Sequence, residues 1–383
     1  MRVGLLTETY LPVVSGVTHF VALHRRALQA MGHDPFVFTF GHDEAYPEDD
    51  DHVIRSPAIP LADSGYFLGS GFDRRARELC GTMDILHAQH PFQVGHLAVS
   101  YGKRYGIPVV FTNHTRYDLY AHYYAPFVSE GLGAAFVEAY LPGFADKCQL
   151  VIVPSHSIRK LLQGYGVTQR IEVIPNGIAV ERFRSPAQII SRAELGIPEG
   201  AQVLIYVGRV ASEKRIAVLV RAFAAVSADL PQAYLVIVGD GPELADLKKQ
   251  AAQTRCGPRI LFTGGVPYDQ VPGYLAMADA FATASTTEVH PLSVLEAIAA
   301  GLPVLGIHSP GISDIVTNGA NGLLAADDLA ECSVRLYRLL SDHEMRHRLA
   351  QQARSDSQRH DIRATTRRIL ECYEQVIADY RRA

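Results

Sequence analysis

Four strand-to-helix turns in this sequence gather the residue types needed for chemistry on an anionic ligand. The run Val207 to Lys214, VGRVASEK, places two cations, Arg209 and Lys214, five residues apart just past an apolar strand pattern. Two cations at a strand end suit a diphosphate. Cations at a helix start oppose the helix dipole, which favours an anionic ligand over a solvated first turn. Ser212 is expected to cap a helix beginning near Glu213. The run Ala284 to Gly301, ASTTEVHPLSVLEAIAAG, places Glu288 in a loop, Pro291 at the first helical position and Glu296 inside an otherwise apolar helix. A buried carboxylate there needs a polar partner. A ribose diol and an internal salt bridge both meet that need. The loop Thr7 to Val17 brings Gly16 to a helix start, where backbone amides approach an anion closely, although a plain turn would look the same. The run Val238 to Glu243, VGDGPE, lacks the third glycine of a dinucleotide fingerprint and reads as a structural turn.

The elements that must position these turns read as two successive β-α-β series. Short apolar runs at Val3–Leu6, Pro35–Phe40, Ile85–His87, Val109–Thr112 and Leu150–Val153 form the first. Helical patterns such as Gly16–Met31 and Val94–Tyr105 lie between them. The second series opens at Val203–Val207 and continues through Leu235–Val238, Ile260–Thr263, Ala280–Ala284 and Val304–Gly306. The fold class is therefore α/β, with two doubly wound, mostly parallel domains. The junction reads near Val173, giving residues 1–173 and 174–361, and an arginine-rich final helix over 362–383 is expected to pack back on the first domain. Proteins of this build bind ligands at strand C-terminal ends, in the cleft between domains.

Composition narrows the class further. The chain has 383 residues, 48% hydrophobic and 20% charged, with a formal net charge of −4, which excludes a disordered chain and argues against a nucleic-acid partner. The five cysteines lie far apart without zinc spacing, as expected of reduced thiols in a cytoplasmic protein. The opening MRVGLLTETYLP enters a strand at once and carries no apolar leader. The acidic cluster Glu48–Asp51 contains an Asp-x-Asp but follows no strand end, so it is read as a solvated loop rather than a metal site.

Taken together, Glu288 and Glu296, the GRVASEK run, Ile174-Pro175-Asn176-Gly177-Ile178, VGDGPE and Ala297 to Val304 resemble, in order and spacing over nearly the whole chain, the retaining nucleotide-sugar glycosyltransferases of the GT-B fold. This is the group related to phosphatidylinositol mannosyltransferases and sucrose synthases. The resemblance implies that Gly16 approaches the donor diphosphate and that Arg209 and Lys214 neutralise it. Glu296 would hold the ribose, Glu288 would face the transferred sugar, and Val266, His290 and Leu292 would line the donor. His114, in Thr112-Asn113-His114-Thr115, matches the family histidine near donor sugar and acceptor. The catalytic set is thus His114, Glu288, Arg209 and Lys214, with no metal or other cofactor. Two positions depart from the pattern: Gly16-Val17 replaces a glycine pair, and Pro291 replaces a glycine whose N–H would serve the donor, leaving the amides of His290 and Leu292.

The acceptor is read from Arg116 to Tyr124, RYDLYAHYY. Tyr117, Tyr120 and Tyr124 share one helical face, and Arg74, Arg75 and Arg77 add basic charge. Tyrosines beside cations suit a membrane interface. The His-Thr-x-Tyr opening resembles enzymes acting on diacylglycerol, so His114, Arg116, Tyr117 and Tyr120 are expected to meet a lipid acceptor; a soluble sugar acceptor is the alternative. Residues 1–173 hold 14 basic against 17 acidic residues, so attraction to the inner membrane face must be local. A nicotinamide oxidoreductase would need a complete Gly-x-Gly-x-x-Gly after strand one, where Thr7-Glu8-Thr9 stands instead. A sugar-nucleotide epimerase would not require the Glu288 and Glu296 pair, and a non-catalytic sugar-nucleotide binder is distinguished by turnover alone.

Overall fold

The computed structural model describes residues 1–41, 50–60, 67–119 and 130–382. The chain forms two compact units, one of residues 1–177 with 362–383 and one of residues 178–361. The passage between them thus follows Gly177, where the sequence reading put Val173.

Among its described residues the first unit has nine strands: β1 (Arg2–Leu6), β2 (Asp34–Phe40), β3 (Val53–Ser56), β4 (Ile59–Pro60), β5 (Phe67–Leu68), β6 (Ile85–Ala88), β7 (Val109–Thr112), β8 (Leu150–Val153) and β9 (Ile171–Val173). Seven of them form one sheet in the order β3-β2-β1-β6-β7-β8-β9, every pair parallel. The strands are apolar on both faces because helices cover both faces. β4 and β5 form a small antiparallel hairpin. Two sheet strands, β3 and β9, had no separate place in the sequence reading. β3 hid because its run HVIRS carries Arg55, which is buried and bonds the Leu11 carbonyl at 2.5 Å. The order reverses between β1 and β6, so the loops after these two strands diverge and leave a crevice at their C-terminal ends.

The helices Gly16–Ala30 and Gln93–Tyr105 match their patterns to within a residue or two. The last helix, Ile362–Arg382, packs on the first unit as expected. Ile362, Thr366, Ile369, Leu370, Tyr373 and Val376 form its buried face, while Arg363, Arg367 and Arg368 stay exposed. It lies against the Gly16–Ala30 helix.

The second unit carries β10 (Gln202–Val207), β11 (Ala233–Val238), β12 (Ile260–Gly264), β13 (Ala280–Thr283), β14 (Val304–Ile307) and β15 (Gly322–Ala325). They form a parallel sheet in the order β12-β11-β10-β13-β14-β15. β15 is four residues in a turn-rich stretch, too short for periodicity to reveal. The order reverses between β10 and β13, so the loops after them, which carry Lys214 and Glu288, flank the second crevice.

Candidate active site

In the second unit the switch point brings the two loops together. Lys214 Nζ lies 2.7 Å from Glu288 Oε1, with side chains 20% and 16% exposed. The spacing of 74 residues gave no hint of this contact; it exists because β10 and β13 are neighbours. Arg209 is exposed and makes no ion pair with any described residue. Without a described counter-charge, it adds positive charge to the loop after β10.

The turn between them differs from the sequence reading. Ser212 caps no helix. Residues Ser212–Lys214 form a single 3-10 turn, Arg215 follows at φ +53°, and the helix starts only at Ile216. A left-handed residue cannot continue a right-handed helix, so it separates the two. Arg215 is held there by Asp327, at 2.6 and 3.0 Å. VGDGPE packs beside this turn. A Cβ on Gly239 would lie 1.8 Å from the Gly208 oxygen, and one on Gly241 would lie 2.2 Å from the Val210 oxygen. Both glycines also have positive φ. The motif therefore supports the Arg209 turn from behind, as its structural reading expected.

Pro291 is the residue before the helix Leu292–Ala299 rather than its first residue. The helix needs no N–H at either position. Glu296 is buried on that helix, and its Oε1 accepts a 2.7 Å hydrogen bond from the Tyr268 hydroxyl. The Arg182 guanidinium stands 5.5 Å from the Tyr268 ring centre. Burial raises the Glu296 carboxyl to about 7, against the Tyr268 bond and the Arg182 charge. Within the protein the polar partner is thus a phenol, where sequence suggested a salt bridge as the internal alternative. Tyr268 was missed because a tyrosine in a loop carries no pattern; Val266, two residues earlier, is partly exposed. Leu292 is buried, and His290 is buried against the His360 ring at 5.6 Å. Burial lowers His290 to about 3, so it is neutral. Gly311 was also missed: a Cβ there would meet the Glu288 carbonyl at 2.1 Å, so this glycine lets the Glu288 loop sit against the short helix Pro310–Ser313.

In the first unit, Gly16 is the exposed first residue of its helix, behind a Ser15–Thr18 capping box. A Cβ on Gly16 would meet nothing within 4 Å, so the chain itself does not demand glycine there. Glu8, just after β1, accepts the Gln93 N–H at 3.1 Å and caps a helix that has no side-chain cap of its own. Burial raises Glu8 to about 7. The signal for Glu8 was its place right after the first strand.

His114 is partly exposed, bonded through Nε2 to Gln89 Oε1 at 2.8 Å, with the Phe20 ring 5.0 Å away. Burial lowers it to about 3. Arg116 is closed onto Asp118 by a forked pair at 2.6 and 2.9 Å, so its charge is already matched. Tyr117 meets Phe92 edge to face at 5.1 Å; Phe92 stacks on Tyr140, and Tyr140 on Phe136. Phe136 and Leu132 are exposed by 60% and 69%. Tyr120 and Tyr124 lie outside the described residues, as do Glu48 and Asp49. Asp50 pairs with Arg25. Arg74, Arg75 and Arg77 are exposed on the helix Arg74–Cys80. Among the described residues no group of three His, Cys, Asp or Glu side chains is placed to hold a metal, and no helix is long and apolar enough to cross a membrane.

Two parallel α/β units of this topology define the GT-B architecture, and comparison with known proteins agrees. Residues 188–356 match the glycosyl transferases group 1 model, and residues 14–182 match glycosyltransferase family 4. The chain is 33% identical over 335 residues to an alpha-monoglucosyldiacylglycerol synthase of Streptococcus pneumoniae, covering 85% of this chain and 75% of that one. It is 31% identical to the enzyme of the same name from Acholeplasma laidlawii, covering 84% of each. Among solved structures, Anabaena Alr3699/HepE in complex with UDP and glucose superposes with a TM-score of 0.79 at 20% identity, over 98% of this chain and all of that one. Sucrose-phosphate synthase from Thermosynechococcus elongatus gives 0.78 at 20% identity, over 99% of each. The chain belongs to the group 1 glycosyltransferases, enzymes that transfer a sugar from a nucleotide-sugar donor.

Proposed function

We propose that this chain is a retaining hexosyltransferase that moves glucose from a nucleoside-diphosphate donor to diacylglycerol, without a metal. The observation that carries the transferase half is the meeting of Lys214 and Glu288 at 2.7 Å on the β10/β13 switch point, with Arg209 exposed in the same loop as Lys214. Arg209 and Lys214 would bind the diphosphate and stabilise its charge as it leaves, which is work a metal would otherwise do. Glu296 would take the ribose hydroxyls, its oxygen already oriented by Tyr268. Glu288 would face the sugar. In the first unit, neutral His114 and Tyr117 would receive the acceptor hydroxyl. The lipid reading is supported by the names of the two synthases above and by the exposed Phe136 and Leu132 beside the Phe92–Tyr140 stack. Such a surface suits peripheral contact with a membrane.

The test is donor consumption by purified protein. UDP-glucose, UDP-galactose and GDP-mannose are each offered with and without diacylglycerol in mixed micelles, with EDTA in parallel and Glu288→Ala as control. Lipid-dependent consumption of UDP-glucose, an α-linked product, no effect of EDTA and a dead variant are expected. Consumption only with a soluble sugar would overturn the lipid reading. Nucleotide binding without turnover on any acceptor would reduce the chain to a sugar-nucleotide binder.

A further inference from the structure

The chemistry of a histidine depends on which ring nitrogen holds its proton, and at His114 the surroundings decide this. Gln89 follows β6 and is fully buried. Its backbone N–H donates to the Leu6 carbonyl at 2.9 Å, which anchors the residue at the β1/β6 switch point. Its side-chain Nε2 donates to the His87 carbonyl at 3.3 Å, and its Oε1 faces His114 Nε2 at 2.8 Å. Turning the amide over would set Oε1 against the His87 carbonyl, two acceptors face to face in a buried site, so the observed orientation is the satisfied one. An amide oxygen only accepts. His114 Nε2 must therefore carry the hydrogen.

We infer that Gln89 is a positioning residue: it locks His114 in the Nε2–H tautomer and leaves Nδ1 as a bare acceptor for the hydroxyl that is glycosylated. The inference rests on the proposed acceptor role of His114. Among the described residues nothing bonds Nδ1. The Phe20 ring packs on the imidazole, tilted 56° at 5.0 Å. The titratable groups that face His114 are His24, His87 and His90, all buried and all held neutral by that burial, His24 at about 3, His90 at about 4 and His87 well below its usual value. No described counter-charge is there to draw a second proton onto the ring. The hydroxyl O–H would donate to Nδ1, which aims an oxygen lone pair away from the ring.

The experiment is long-range ¹⁵N–¹H correlation on protein labelled at histidine nitrogen, with the His114 signals identified by their loss in His114→Asn. The full chain is expected to show Nε2 protonated and Nδ1 unprotonated. In Gln89→Met, which keeps the volume but removes the acceptor, the two nitrogens should move toward averaged shifts and kcat should fall on the order of 10²-fold. Donor KM should stay unchanged. A protonated Nδ1 in the unmodified chain would overturn the proposal, as would a Gln89→Met spectrum identical to it. If Gln89→Met does not fold, the unmodified spectrum decides alone. The spectrum needs no substrate, so failure of transfer to diacylglycerol is read separately from failure of the tautomer.

Discussion

At the scale of single residues, the two cations of the candidate site in the second unit differ in their partners. Lys214 is held by Glu288, whereas Arg209 has no described counter-charge. Removing a donor that stabilises developing charge in a water-poor site costs roughly 10²–10³-fold in kcat. Lys214→Ala and Arg209→Ala should each lose about that much, measured as initial rates of UDP release. The same assay checks Tyr268→Phe. That change strips the hydroxyl that orients Glu296, so it should raise donor KM about tenfold, an ordinary hydrogen-bond contribution of about 1 kcal/mol or slightly more, with little change in kcat. A kcat effect with unchanged KM would place Tyr268 in the chemical step instead.

At the scale of elements, a buried polar chain ties the last helix to the first unit. Thr366 bonds His24, His24 and His87 both reach the Tyr373 hydroxyl, and His87 bonds Thr112 at 2.6 Å. Burial pushes His24 and His87 down, so both rings are neutral, and each has one donor and one acceptor nitrogen. Running the protons in one direction satisfies every member. Tyr373→Phe leaves two buried ring nitrogens short of a partner and should cost about 1–3 kcal/mol, read as a lower urea midpoint of the full chain. Gly241→Ala tests the other structural turn. Its Cβ would collide with the Val210 backbone, which has no flexible end to move, and a loss of about 2–5 kcal/mol is expected in the same assay.

At the scale of the whole molecule, each unit holds near its switch point a carboxyl group that desolvation raises from 4.5 to about 7: the partly exposed Glu8 in the first and the buried Glu296 in the second. A carboxyl whose folded value lies above its unfolded value binds more protons when folded. Its contribution is complete below about 4.5 and is lost as pH rises through about 7. Each shift is worth on the order of 3 kcal/mol. Glu8→Gln and Glu296→Gln should therefore gain stability relative to the parent on going from pH 5 to pH 8. Urea midpoints at the two values check this, and a gain that shrinks with pH would contradict the burial argument.

The sequence alone determined the class of the fold, because strands buried on both faces must be continuously apolar and glycine turns must follow them. It also singled out Arg209, Lys214, Glu288, Glu296 and His114, since cations and acids at strand ends are legible one by one, and motif order supplied their family. Only the tertiary structure decided the partners. Lys214 meets Glu288 because strand order reverses between β10 and β13, and Glu296 meets Tyr268 across 28 residues of sequence. Arg116, expected from sequence to meet the acceptor, is paired with Asp118 two positions on, a contact that backbone conformation creates. Gln89 and Tyr373 carry no local pattern, and their roles come from what folding sets against them. Spacing along a chain reports which face a residue takes; which group stands opposite is fixed by sheet order and helix docking.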